Sequence, residues 1–232
     1  MQLSFNFPLV PLAVFFFLGL VVLAVVFGAI QAGKRREAML NLARRLNLAF
    51  NPGLDYAIPG RFSFLKPLSQ GDNRYATNLL SGTYQQHEIL VFDYHYETHS
   101  TDSKGNRTTQ HHWFSCFLLT LPVVFPELTI RREGFFIKLA ELFGYGDINF
   151  ESAEFSRAFN VRSPDKKFAY DVCNARMIDY LLANRDLSIE LENNVLALAF
   201  DSRLAVEQIE NNLQRLIAIR ARLPDYLFTP AT

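Results

Sequence analysis

The 232-residue sequence predicts an α+β fold, in which an N-terminal transmembrane helix precedes a cytosolic domain of antiparallel strands, helices and a C-terminal amphipathic helix. Residues 1–33 carry no charged side chain, so all 23 basic and all 23 acidic residues follow them. Further along the chain, the apolar residues first alternate as they do in strands, and later they recur mainly at helical spacing. We therefore divide the chain into an anchor (1–33), a basic amphipathic stalk helix (34–53) and a cytosolic α+β domain (54–232).

The anchor is the uncharged run Leu9–Ile30. A helix over this run spans about 33 Å, close to the ~30 Å thickness of bilayer hydrocarbon. A cleaved signal peptide fits less well, because residues 1–7 contain no Lys or Arg and the run is longer than a signal-peptide core. Lys34, Arg35 and Arg36 follow the run. The positive-inside rule then places the N-terminus outside the inner membrane and the domain in the cytoplasm.

Two features of these first segments predict partners. Ala24, Gly28 and Ala32 recur every four residues, a spacing that permits a homodimer through the anchor. Arg44 and Arg45 lie on the polar face of the stalk, where they would rest on the anionic surface of the lipid bilayer. The opposite, apolar face of the stalk consists of Met39, Leu42, Ala43, Leu46 and Phe50.

Three strands are predicted next, at Ala76–Tyr84, Ile89–Thr98 and His111–Leu121. Pro122 ends the third strand. The polar segment 100–109 is predicted to be a long, mobile hairpin loop. The face of the second strand expected to enter the core consists of Leu90, Phe92, Tyr94 and Tyr96.

The second half of the chain is mainly helical by pattern. Its predicted helices lie at 135–143, 163–173, 174–184 and 204–223, the last with an apolar stripe of Val206, Ile209, Leu213, Leu216 and Ile217. Ser163 is the expected cap of the second helix, with Pro164 at its first position. Residues 187–200 predict a β-hairpin that turns at Asn193-Asn194.

A spaced pattern in this half carries a family resemblance. It reads Phe155-x-x-x-Phe159-x-Val161-x-Ser163-x-Asp165-x-x-x-Ala169. With this pattern, the stretch from about 76 to 200 resembles a bacterial family of membrane-associated proteins of unknown function. The resemblance implies a membrane-associated α+β domain, and it implies no catalytic residue and no cofactor.

The composition and motifs exclude several classes of function. A net charge of zero and a pI of about 7.0 argue against a nucleic-acid-binding protein. The sequence contains no phosphate-binding P-loop, no dinucleotide-binding glycine motif, no G-x-S-x-G, no H-E-x-x-H and no C-x-x-C. We therefore predict no catalytic residue, no cofactor and no metal. Cys116 and Cys173 lie in apolar runs and are expected to be core residues.

The histidines form the one suggestive cluster, because all five lie between His87 and His112. Asp93, His95, Glu97 and His99 share one face of the second strand, and a hairpin centred near residue 104 would place Gln110, His112 and Phe114 opposite them. A metal bound by His95 or His99 with His112 and a carboxylate is one interpretation. We favour a solvated polar face without metal, because residues four apart on a strand are separated by about 13 Å.

These observations favour a single-pass membrane-anchored protein whose cytosolic domain is an interaction or accessory module with an unknown protein partner. The alternative is a membrane-tethered enzyme with a site near the 93–112 hairpin. A deep pocket lined by ionisable groups would favour the enzyme, and an exposed apolar patch would favour the interaction module.

Overall fold

The predicted α+β fold is confirmed by the structure, a computed structural model that describes residues 9–132 and 146–229. Its helices are α1 (Leu9–Leu46), α2 (Ile58–Arg61), α3 (Ala153–Ala158), α4 (Lys166–Val172), α5 (Ala175–Ala183) and α6 (Ile209–Arg220). Its strands are β1 (Ala49–Asn51), β2 (Asp72–Tyr84), β3 (His87–Thr101), β4 (Arg107–Arg132), β5 (Phe159–Arg162) and β6 (Ile189–Ala199). Short 3-10 turns lie at Lys66–Ser69, Val206–Gln208 and Asp225–Phe228. The helix predicted at 135–143 lies outside the described residues.

The sheet is antiparallel, and β4 is its central strand. Along the order β1-β2-β3-β4-β5, one edge of β4 pairs first with β3 and then with β5. Its other edge pairs with β6 over residues 116–130. The predicted end at Pro122 is therefore wrong, because the strand continues to Arg132. The pairing with β6 shifts register between Thr120 and Phe125. This irregularity accommodates Pro122, which cannot donate a backbone hydrogen bond.

The predicted hairpin at 187–200 is also wrong. The segment forms the single strand β6, and both of its halves pair with β4. Asn193 has a φ of 51° and lies opposite Phe125, where the register shifts. Asparagine tolerates this left-handed conformation, so the Asn-Asn pair makes a bulge instead of a turn.

Apolar side chains fill both faces of the sheet. One core lies under α1, α4, α5 and α6, and a second, smaller core lies under α2 and the 3-10 turn that follows it. Phe92, Tyr94 and Tyr96 are buried in the smaller core, which confirms the predicted core face of β3. In α6, Leu213 and Leu216 are fully buried, which confirms the predicted stripe.

The helix α1 joins the anchor to the domain without a break. Its apolar part is long enough to cross a membrane and is not buried in the protein. Further along, Met39, Leu42 and Ala43 are buried in the larger core. The boundary drawn between 33 and 34 thus falls inside one helix, whose last turns pack on the sheet. This arrangement fits membrane anchoring.

Two local predictions need correction. The cap of α4 is Asp165, which accepts a hydrogen bond from the Phe168 amide at 3.0 Å. The Ser163 hydroxyl instead donates to the Glu127 carbonyl at 2.7 Å. The predicted loop at 100–109 is also shorter than expected, because β3 and β4 stay paired as far as Thr101 and Arg107.

Candidate functional site

The register of β3 and β4 decides which side chains meet. Asp93, His95, Glu97 and His99 pair with Ser115, Trp113, His111 and Thr109, respectively, so the prediction of Gln110, His112 and Phe114 is wrong by one residue. That slip places His112 on the opposite face, stacked on Tyr96 with ring centroids 4.6 Å apart. The expectation of a solvated face is also wrong at its inner end, because Asp93 is 1% exposed and His95 is 3% exposed.

Asp93 is the centre of a buried polar cluster. Arg35 on α1 donates to both of its carboxylate oxygens, at 2.6 and 2.7 Å. Asn78 on β2 and Ser115 on β4 donate at 2.9 and 3.2 Å. Arg35 also donates to the Leu204 carbonyl at 2.7 Å, and thereby contacts the segment that leads into α6. A carboxylate with this many donors is structural, and it fastens α1 to the sheet.

His95, Glu97 and His111 form a second polar cluster, two residues further along β3. Nε2 of His95 lies 3.1 Å from Nδ1 of His111, and Nδ1 of His111 lies 3.3 Å from a Glu97 oxygen. Among the residues that the structure describes, these three have potential metal-ligand atoms that all lie within 4.8 Å of one another. We call them the His-Glu-His cluster.

Asn73 orients two members of the His-Glu-His cluster, and no sequence pattern pointed to it. Its carbonyl lies 3.1 Å from Nδ1 of His95, and its side-chain amide donates to Glu97 at 2.6 Å. Asn73 has a φ of 45° beside an irregularity in β2, which turns both groups towards β3. Since a carbonyl only accepts, Nδ1 of His95 carries the proton and Nε2 presents its lone pair to His111.

The surroundings of the cluster shift two pKa values. Burial lowers the pKa of His95, although the hydrogen bond to the Asn73 carbonyl acts in the opposite sense. The hydrogen bond from the Asn73 side chain lowers the pKa of Glu97, and the nearby histidines act in the same direction. At neutral pH, His95 is therefore neutral and Glu97 is ionised.

Aromatic rings fix the position of His95. Its ring stacks on Tyr75 at 4.6 Å and contacts Trp113 at 4.7 Å between centroids. Tyr56 extends this row beyond Tyr75, and the Arg203 guanidinium lies 5.1 Å from the Trp113 ring centre. Trp113 is the single tryptophan of the chain. This row leads from the His-Glu-His cluster towards α1.

A groove lies at the other end of the aromatic row, between α1 and the sheet. Its volume is about 690 Å³. Its charged lining is mainly basic, with Lys34 and Arg36 on α1 and Arg203 beside Trp113, and it includes one acidic residue, Glu207. Gly28 is among the α1 residues that close the groove towards the anchor. We call this feature the junction groove, because it lies where the apolar part of α1 ends.

A buried ion pair lies elsewhere, in the smaller core. Arg131 contacts Glu190 at 3.0 Å, and the Lys66 amide donates to the same carboxylate at 2.8 Å. Burial raises the pKa of Glu190 to about 7, against the opposing charge of Arg131. No sequence motif marks this pair, since Arg131 and Glu190 come from different halves of the chain.

The fold and the uncovered apolar helix define an α+β protein whose N-terminal segment fits a membrane anchor. No family model matches the sequence, and no curated protein matches it. One solved structure is similar, that of the mycobacterial trehalose monomycolate transport factor A, TtfA, with a TM-score of 0.54. The similarity covers 83% of this chain and 96% of that one at 14% sequence identity, and it shows the fold alone. The resemblance of residues 76–200 to a bacterial family stays a prediction.

Proposed function

We propose that the chain is a single-pass membrane protein with its N-terminus outside and its domain in the cytoplasm, where the domain is a non-enzymatic accessory module. The observation that carries this proposal is the continuity of α1 from its exposed apolar part into the core of the domain. Lys34, Arg35 and Arg36 follow the apolar part directly, which supports the orientation.

The contacts between α1 and the rest of the domain support the proposal that the domain is held in a defined position at the bilayer. Arg35 is bound to Asp93, and Arg45 forms an ion pair with Glu210 on α6. Met39 lies between them along α1 and is fully buried. Because these contacts replace a flexible linker, a tilt or shift of the membrane helix would move the whole domain.

We further propose that the junction groove faces lipid headgroups. Lys34, Arg36 and Arg203 would attract anionic phosphates, each contributing about 1 kcal/mol near a charged surface. Trp113 supplies the amphipathic ring that favours the membrane–water interface. The predicted homodimer would compete with headgroups for this groove, because Gly28 lines it and a second helix packed there would cover it.

The similarity to TtfA suggests the kind of process. That protein is described as a transport factor, and the shared fold spans nearly its whole length. We propose that the present domain likewise assists a transport process at the membrane, through a protein partner that is still to be identified. The membrane-tethered enzyme is the second candidate, and the His-Glu-His cluster within the 93–112 hairpin is the observation that favours it.

Reporter fusions test the orientation. A fluorescent protein fused to the C-terminus should fluoresce in a bacterial host, and alkaline phosphatase at the same position should be inactive, since it folds only outside the cytoplasm. An active phosphatase fusion would overturn the proposed topology.

Trp113 fluorescence tests the position of the groove. The full chain is reconstituted into vesicles that carry a headgroup-linked quencher, and quenching should be stronger in anionic than in neutral lipid. Arg36→Ala combined with Arg203→Ala should reduce this difference. Lys167→Ala, which removes an exposed charge on α4 away from the groove, should leave it unchanged. Equal quenching in both lipids would contradict the headgroup-facing groove.

A further inference from the structure

We propose that His95, Glu97 and His111 bind one divalent transition-metal ion of the size and chemistry of zinc. The sequence argued against a metal because His95 and His99, four residues apart on one strand, are separated by about 13 Å. It also placed His112 across from β3 and a mobile loop at the hairpin end. The structure differs on the last two points, since His111 lies opposite Glu97 and the two strands stay paired to Thr101. The inference concerns the hairpin and does not depend on membrane attachment.

The spacing of the donor atoms suits a small ion. In a tetrahedral zinc site with bonds of about 2.0–2.1 Å, neighbouring ligand atoms are about 3.3 Å apart. The two separations measured between donors of the cluster are 3.1 and 3.3 Å. An ion can therefore enter with small side-chain movements, and it would replace the hydrogen bond between His95 and His111.

The supporting contacts are those that a metal site requires. Metal-binding histidines usually donate their second ring N–H to a carbonyl or a carboxylate, and His95 donates to the Asn73 carbonyl at 3.1 Å. The Asn73 amide also holds Glu97 at 2.6 Å. Rings of Tyr75 and Trp113 contact His95 and limit its rotation. His95 and Glu97 therefore keep their orientation without the ion, and the exposed His111 side chain completes the set.

The donor set defines the class of ion and its remaining chemistry. Two imidazoles and a carboxylate suit zinc and other transition metals, whereas magnesium and calcium prefer oxygen ligands alone. Three protein ligands leave one position of a tetrahedral ion for water or another ligand. The His111 side chain is 60% exposed, so this position can be reached from solvent.

Zinc titration of the full chain in detergent tests the proposal. After removal of metals with a chelator, Zn²⁺ is added in competition with a chromogenic chelator, and one ion should bind per chain. His111→Ala should lower the affinity by more than the ~10–100-fold expected for a supporting residue. Asn73→Gly keeps the left-handed backbone but removes the amide, so it should lower the affinity by about 10–100-fold.

His87→Ala is the matched control, because His87 lies at the other end of β3, about 26 Å away along the strand. It should bind zinc like the wild type. Cobalt(II) adds a second measurement, since this paramagnetic ion should quench Trp113 fluorescence in the wild type but not in His111→Ala. Equal zinc affinity in wild type and His111→Ala, or equal loss in His111→Ala and His87→Ala, would overturn the proposal.

Discussion

Replacing Arg35 by alanine should destabilise the domain more than replacing any other charged residue of α1 by alanine. The Asp93 carboxylate would lose two hydrogen bonds of 2.6 and 2.7 Å and keep only those from Asn78 and Ser115. It would stay buried and uncompensated, and the Leu204 carbonyl would lose its donor. Removing one partner of a buried ion pair costs about 3–5 kcal/mol. The Arg35 side chain is 14% exposed, so water can enter the space and we expect about 3 kcal/mol.

Urea unfolding of the detergent-solubilised chain, followed by Trp113 fluorescence, measures this loss. With a slope of about 2 kcal/mol per molar urea, the midpoint should fall by about 1.5 M. Arg36→Ala removes the neighbouring exposed charge and should change stability by less than about 0.5 kcal/mol. Adding Asp93→Asn to Arg35→Ala should restore part of the stability, because the buried group becomes neutral. The charge argument is refuted if the double variant is no more stable than Arg35→Ala alone, or if Arg35→Ala and Arg36→Ala unfold together.

Three further predictions concern the domain. Leu213→Ala should cost about 2–5 kcal/mol, and Gln214→Ala on the exposed side of α6 should cost less than about 0.5 kcal/mol; equal melting temperatures would contradict the packing of α6. Asp165→Ala should cost about 1 kcal/mol through loss of the α4 cap, measured by urea unfolding, and no loss would show that the cap is dispensable. The pKa of Glu190 is raised from an ordinary 4.5 to about 7, so the folded state binds the proton more tightly than the unfolded state does. The stabilisation that results is full below about pH 4.5 and is lost as the pH rises through 7. Glu190→Gln should therefore show a smaller fall in stability between about pH 5 and pH 7.5, and an unchanged pH dependence would contradict the raised pKa.

Local patterns in the sequence were sufficient to predict the core residues of a helix or strand that buries one face. The alternation along β3 identified Phe92 and Tyr94 as core, and the helical stripe of α6 identified Leu213. The uncharged run before Lys34 likewise identified the exposed apolar part of α1. Each of these follows from the period of side chains along a helix or a strand, which the sequence contains directly.

The polar clusters depend on register and on distant pairing, which local patterns do not contain. The turn between β3 and β4 is closed by Asp102, whose side chain accepts from the Lys104 and Asn106 amides. This turn sets His111, and not His112, across from Glu97. A shift of one residue exchanges the two faces of a strand, so a small error in the turn changed the whole predicted site.

The bond from Arg35 to Leu204 has a consequence for the biogenesis of the protein, since the two residues are 169 positions apart. At about 5–20 residues per second, a ribosome needs roughly 10–30 s between them. In the proposed membrane-anchored protein, the apolar part of α1 is therefore available for insertion while β4 still lacks β6, and the nascent domain presents an unpaired strand edge. Chains of such an anchored protein that stop before β6, at Ile189–Ala199, would be inserted without the completed sheet, and they would be substrates for membrane quality control.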